Sequence, residues 1–146
     1  MATETSASVD TIHVAVRAAL LASAGVTALL GSAGIVQGWL PDPIDDTQLP
    51  VIVMWDAITA EDTIDRGIVW QVRMNLTLDL LARGNGAKAT LMQLEGAIRK
   101  ALHEATLAPT GWKNARARFR GSVRMYESGI NLERRSSDVL VTAQPA

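Results

Sequence analysis

The residues with the most chemistry to offer are arginines. Arg116, Arg118, Arg120 and Arg124 stand at alternate positions in a segment that otherwise reads Ala117, Phe119, Gly121, Val123 and Met125. Alternate side chains of an extended strand share a face, so the spacing predicts one face of guanidinium groups, with Ser122 among them. Like charges held that close repel, and guanidinium pairs best with planar anions such as carboxylate and phosphate. Three surroundings fit: the acidic loops of a neighbouring subunit, solvent, and DNA passing nearby, the last being the weakest because surface charge runs are usually just solvated. The candidate acids are Asp45 and Asp46, which follow Asp42 in a Pro- and Asp-rich stretch, and Glu61, Asp62 and Asp65, which precede Arg66-Gly67. The same acids could gather around a hard divalent cation. No calcium-loop spacing is present, and solvated loop charge is the simpler reading.

Other chemistry is thin. His13 and His103 are the two imidazoles, and neither has a second histidine or a carboxylate at i+3 or i+4 to build a metal-binding helix face. Surface or boundary histidines are expected. Gly84-Asn85-Gly86 precedes a helical pattern and invites a phosphate-site reading, but no P-loop Lys-Ser/Thr pair and no dinucleotide fingerprint follows, so a strand-to-helix turn with Asn85 near the N-cap is expected. No serine sits in a nucleophile elbow. With no cysteine in the chain, disulfides, thiolate nucleophiles and thiolate metal sites are excluded together. These residues predict no catalytic site, cofactor or metal.

A chain of 146 residues with 48% apolar and 20% charged side chains has the balance of one globular domain. Fourteen basic residues against fifteen acidic leave no whole-chain basic footprint of the kind that nucleic-acid binding requires. The apolar run from Ile12 to Val36 is interrupted by Arg17, diluted by glycines, serines and threonines, and preceded by Glu4 and Asp10. A soluble helix is expected there, with no membrane span or signal peptide.

The positioning elements follow from periodicity. Residues 1–8 read as a loosely held arm, residues 9–143 as a single domain, and residues 144–146 as a C-terminal tail. Ile12, Val16, Leu20 and Ala24 recur at helical spacing and predict one helix from about Val9 to Leu30, ended by Gly31 and Gly34. Val51 to Ile58 is apolar on both faces and predicts a strand covered on both sides or lying at a subunit contact. Ile68, Trp70, Val72, Met74, Leu76, Leu78 and Leu80 alternate with polar residues, the period of a half-buried strand, and Glu61 to Gly67 reads as an acidic hairpin connection before it. Ala87, Leu91, Leu94, Ile98 and Leu102 return to helical spacing, with Lys88, Glu95, Arg99 and Glu104 on the other side. The arginine strand and a last strand from Asp138 to Thr142 complete an α+β plan: a mainly antiparallel sheet with two helices packed on one face.

Val16-Arg17-Ala18-Ala19-Leu20-Leu21-Ala22, then Val26-Thr27-Ala28-Leu29-Leu30-Gly31, then Gln48-Leu49-Pro50-Val51-Ile52-Val53 resemble the phage tail terminator or tail-completion family, and the order of the later elements is similar to that family's over nearly the whole chain. The resemblance implies a structural virion protein of a long-tailed bacteriophage, made in the host cytoplasm. It implies a homo-oligomeric ring, usually a hexamer, on the head-proximal end of the tail tube. Such a ring stops tube polymerisation and offers a surface to a head-completion protein, while DNA passes through its lumen without specific binding. The family brings no catalytic residues, and individual contact positions do not map from it. The alternatives are another neck or head–tail connector ring protein and, from a different class, a small-ligand-binding α+β domain or minor hydrolase.

Overall fold

The computed structural model describes residues 9–38, 45–55, 58–65, 68–127 and 132–146. Within them lie three α-helices, α1 (Val9–Leu21), α2 (Ala24–Thr27) and α3 (Ala87–Leu102), and seven strands: β1 (Ile35–Gln37), β2 (Val51–Met54), β3 (Ile58–Asp65), β4 (Ile68–Arg83), β5 (Ala105–Leu107), β6 (Trp112–Glu127) and β7 (Leu132–Pro145). The expected N-terminal arm and the stretch Pro41 to Ile44 fall outside the described residues.

All seven strands form one sheet in the order β1-β2-β4-β7-β6-β5, with β3 also paired to β4. Only β1 and β2 run parallel. β4 is central because its alternation allows it: Met74, Leu76, Leu78 and Leu80 are fully buried on the helix side, where they meet Val139 and Val141 of β7 and the helices. It holds β7 along its length from Val72 to Arg83. On its other flank it holds β2 near its C-terminal end and β3 near its N-terminal end. The segment expected to be an acidic loop is therefore largely strand β3, and Glu61, Asp62 and Asp65 lie opposite Arg73, Val72 and Ile68 of β4.

Both main helices cover one face of the sheet, as the sequence predicts. Ile12, Val16 and Leu20 of α1 and Leu91, Leu94, Ile98 and Leu102 of α3 are buried against it. The first helix is shorter than expected. It ends at Leu21, and Ser23 turns extended to cap α2, its hydroxyl accepting from Val26 N at 3.4 Å. Residues with a hydroxyl near the backbone favour such caps over helix interiors, so the continuous apolar stripe conceals a break. His13 sits on the inner side of α1 and is buried, where a surface or boundary position was expected.

A second, smaller core lies on the opposite sheet face, where Val51, Val53, Leu81 and Leu132 pack with Ala33, Val36 and Leu49. Strand β2 is thus buried on both faces by its own chain, and its apolar character calls for no subunit contact. The loop before β1 is pinned there. Gly31 N donates to Pro50 O at 2.7 Å and Ser32 N to Thr47 O at 2.9 Å. A side chain at Gly31 would come within 2.5 Å of Leu49 O, closer than packing allows.

The C-terminal tail expected after residue 143 is the end of β7, with Pro145 opposite Trp112 and Gln144 accepting from Asn114 Nδ2 at 2.7 Å. After α3 the chain turns at His103 and Glu104 into β5, which pairs with residues 115–117 of β6.

Candidate subunit interface

On the sheet face away from the helices, register sets the arginines into rows. Arg73 of β4, Thr142 of β7 and Arg116 of β6 share one row, and Asn75, Leu140 and Arg118 share the next. Arg73 and Arg116 are two strand spacings apart, about 10 Å, where two unit charges in water repel by only ~0.4 kcal/mol. The face therefore does not need a bound anion to exist. An open cleft of about 490 Å³ on it is lined by Arg73, Asn75, His103, Arg118 and Arg120, and a smaller one beside it by Arg116, Arg118, Glu104 and Thr142.

The stripe is not the straight row that alternation alone predicts. The β6–β7 register shifts between Phe119 and Gly121, a β-bulge that gives β6 one extra residue and exchanges its faces beyond that point. Arg116, Arg118 and Arg120 are exposed. Ser122 turns to the helix side, and Val123 is 62% exposed although it was expected on the inner face. Arg124 comes opposite Arg135 and no longer follows the line of Arg116 and Arg118. Arg118 has a long, exposed approach to Glu104, 4.0 Å, worth little against solvent. Arg116 and Arg120 have no acidic partner among the described residues.

The expected acids divide. Asp45 caps the 3-10 turn Asp46–Gln48, accepting from Thr47 N at 3.4 Å, while its own backbone N donates to Gln48 Oε1 at 2.8 Å. Asp46 pairs with Arg83 at 3.1 Å. Both stand at the C-terminal end of β4, ten residues or ~33 Å from Arg73. Glu61, Asp62 and Asp65 lie at the opposite end of that strand. The two acidic groups are not brought together, and among the described residues no cluster of three or more His, Asp or Glu side chains could hold a metal ion.

Two buried polar networks escaped the sequence reading. Glu95, expected on the solvent side of α3, is buried and accepts from Ser122 Oγ at 2.8 Å, from Arg99 at 3.4 Å and from Arg135 Nε. Arg135 Nε also donates to Ser122 Oγ at 3.1 Å. On the other face Asp79 accepts from Trp55 Nε1 and from Arg134 Nη2. A signal for Glu95 exists in its position, four residues after Leu91 and three before Ile98, which places it on the apolar stripe itself. These networks tie elements together, each by hydrogen bonds that satisfy a buried carboxylate.

Residues 14–139 match the family model described as tail completion protein gp17. No curated protein matches the chain. Among solved structures, a chain of the virion of a native gene transfer agent particle superposes with a TM-score of 0.75 at 17% identity, covering 91% of this chain and 94% of that one. A second solved chain superposes with a TM-score of 0.66 at 12% identity, over 95% of this chain and 97% of that one.

Proposed function

Because the chain belongs to the tail completion protein gp17 family, and so is a structural protein of a phage-type tail, we propose that it is the tail terminator. A ring of its copies, usually six in such proteins, caps the head-proximal end of the tube. The cap stops addition of further tube subunits and offers the head-completion protein its surface. Partners are then the major tube protein, the head-completion protein and other copies of this chain, with DNA crossing the lumen unread.

The observation that supports this best is the family match over nearly the whole domain. A subunit of a ring needs complementary surfaces on two sides, and this one has arginines on one strand and acids on another. Of the expected contact residues, Asp45 and Asp46 already serve their own chain; in this reading Arg116, Arg118, Arg120 and Arg124 face Glu61, Asp62 and Asp65 of a neighbour. Electron microscopy of a lysate lacking this protein tests the role. Tails should fail to join heads, and some should exceed the normal length, because an uncapped end still accepts tube subunits. Normal-length tails on filled heads would refute it.

A further inference from the structure

We propose that the open stretch of β6, from Arg118 to Glu127, receives strand β3 of a second copy of this chain, so that one sheet continues into the next. The inference rests on the ring reading and specifies how the ring is joined. β5 covers β6 only at residues 115–117, and beyond Ala117 no described strand pairs with that side of β6. Among the described residues β3 pairs with one strand, β4. The two lie at opposite edges of the same sheet, and an unpaired edge presents a row of backbone donors and acceptors that templates another strand.

Charge selects which edge meets which. The open stretch of β6 holds Arg118, Arg120 and Arg124, and β3 holds Glu61, Asp62 and Asp65. Pairing β6 with β6 would join two edges of net positive charge, each with three arginines and one acid, Glu127, and pairing β3 with β3 would join two edges whose charges are all acidic. The mixed pair brings edges of opposite net charge together, and the repulsion in the other two discriminates as much as the attraction does. Solubility alone would be served by edges of one sign. Joining two different edges is a head-to-tail contact, the kind that closes a ring.

The stagger also fits closure. The row through β3 meets β6 near Arg116, whereas the middle of the open stretch lies near Ser122, about six residues or ~20 Å further along. Across the four strands β3, β4, β7 and β6, a width of ~19 Å, that offset corresponds to a strand tilt of roughly 45°, at the upper end of the range found in closed barrels.

The absence of cysteine makes a direct test possible. Thr63→Cys is combined in turn with Gly121→Cys, Ser122→Cys and Val123→Cys, each variant replaces the parent during infection, and purified tails are oxidised. Expected is a ladder of disulfide-linked multimers in which reactivity alternates along β6, position 122 differing from 121 and 123, with no ladder from any single variant. Tails that contain the protein and join heads, yet cross-link in none of the combinations, would overturn the edge pairing and leave the terminator role standing. Protein absent from joined tails would overturn both. As a second measurement, Arg120→Glu with Arg124→Glu should lower incorporation at least tenfold, and adding Asp65→Arg and Glu61→Arg, the positions opposite them when Thr63 lies against Ser122, should restore it. Unchanged incorporation, or no restoration in a chain with parental circular dichroism, would also overturn the pairing.

Discussion

Trp55 Nε1 donates to Asp79 Oδ2 at 2.6 Å, and the same oxygen accepts from Arg134 Nη2 at 2.6 Å, so one buried carboxylate fastens the end of β2 to β4 and β7. Removing it takes one carboxylate partner from Arg134 and the acceptor from the Trp55 indole N–H. Arg134 keeps partial contact with water, which places the loss below the ~3–5 kcal/mol typical of a broken buried pair. Asp79→Ala should therefore cost about 2 kcal/mol, and Asp79→Asn, which still accepts from Trp55, less. Urea midpoints measure both; equal losses would mean that the Trp55 hydrogen bond contributes nothing.

Met74 and Asn75 are neighbours on opposite faces of β4. Met74 is fully buried, so Met74→Asp buries an unpaired charge and should cost several kcal/mol, enough to abolish cooperative unfolding. Asn75→Asp, one residue on, should change stability by less than ~0.5 kcal/mol. Similar behaviour of the two variants would contradict the face assignment.

Gly31 and Gly96 should respond to alanine in opposite directions. At Gly31 a Cβ would meet the backbone of Gln48 and Leu49 at 2.5–2.6 Å, and the forced shift should cost about 1–3 kcal/mol. At Gly96, inside α3, a Cβ meets nothing within 4 Å, so the better helix propensity of alanine should add roughly 0.5–1 kcal/mol. Thermal unfolding of the two variants checks the signs.

Glu95 and Arg135 are both mostly shielded from solvent, so their pairing should resist salt. Glu95→Gln should lower stability by an amount that is nearly the same at low ionic strength and in 1 M salt, where the Debye length is only ~3 Å. A loss that vanishes in high salt would place the pair in solvent.

Elements with one strong period were legible. α3 spans Ala87–Leu102, the very residues whose stripe marked it, and the alternation of β4 gave the correct inner face. Local competition hid the rest. The stripe of α1 continues through Ser23, whose hydroxyl ends one helix and caps the next. β3 reads as loop because its acids and threonines have little apolar period, and it is held as a strand by pairing with β4. β5 has three residues, too few for any period. The arginine face was legible up to Phe119, but a bulge leaves no mark in composition and it reversed every residue after it. Glu95 and Asp79 were read as solvent-facing because a charge is normally exposed, and their partners on other elements are 24 to 55 residues away in sequence.

β4 and β6 have 16 residues each and β7 has 14, and β4 and β7 are hydrogen-bonded in register from Val72 to Arg83. Tension along these strands loads their cross-strand bonds together in shear, whereas tension across them opens the bonds one after another, as a zip does. The subunit is therefore mechanically anisotropic, stiff along β4, β6 and β7 and weak at right angles. In the terminator ring proposed above, the axis of any load the subunit bears would have to lie nearer the strands than across them.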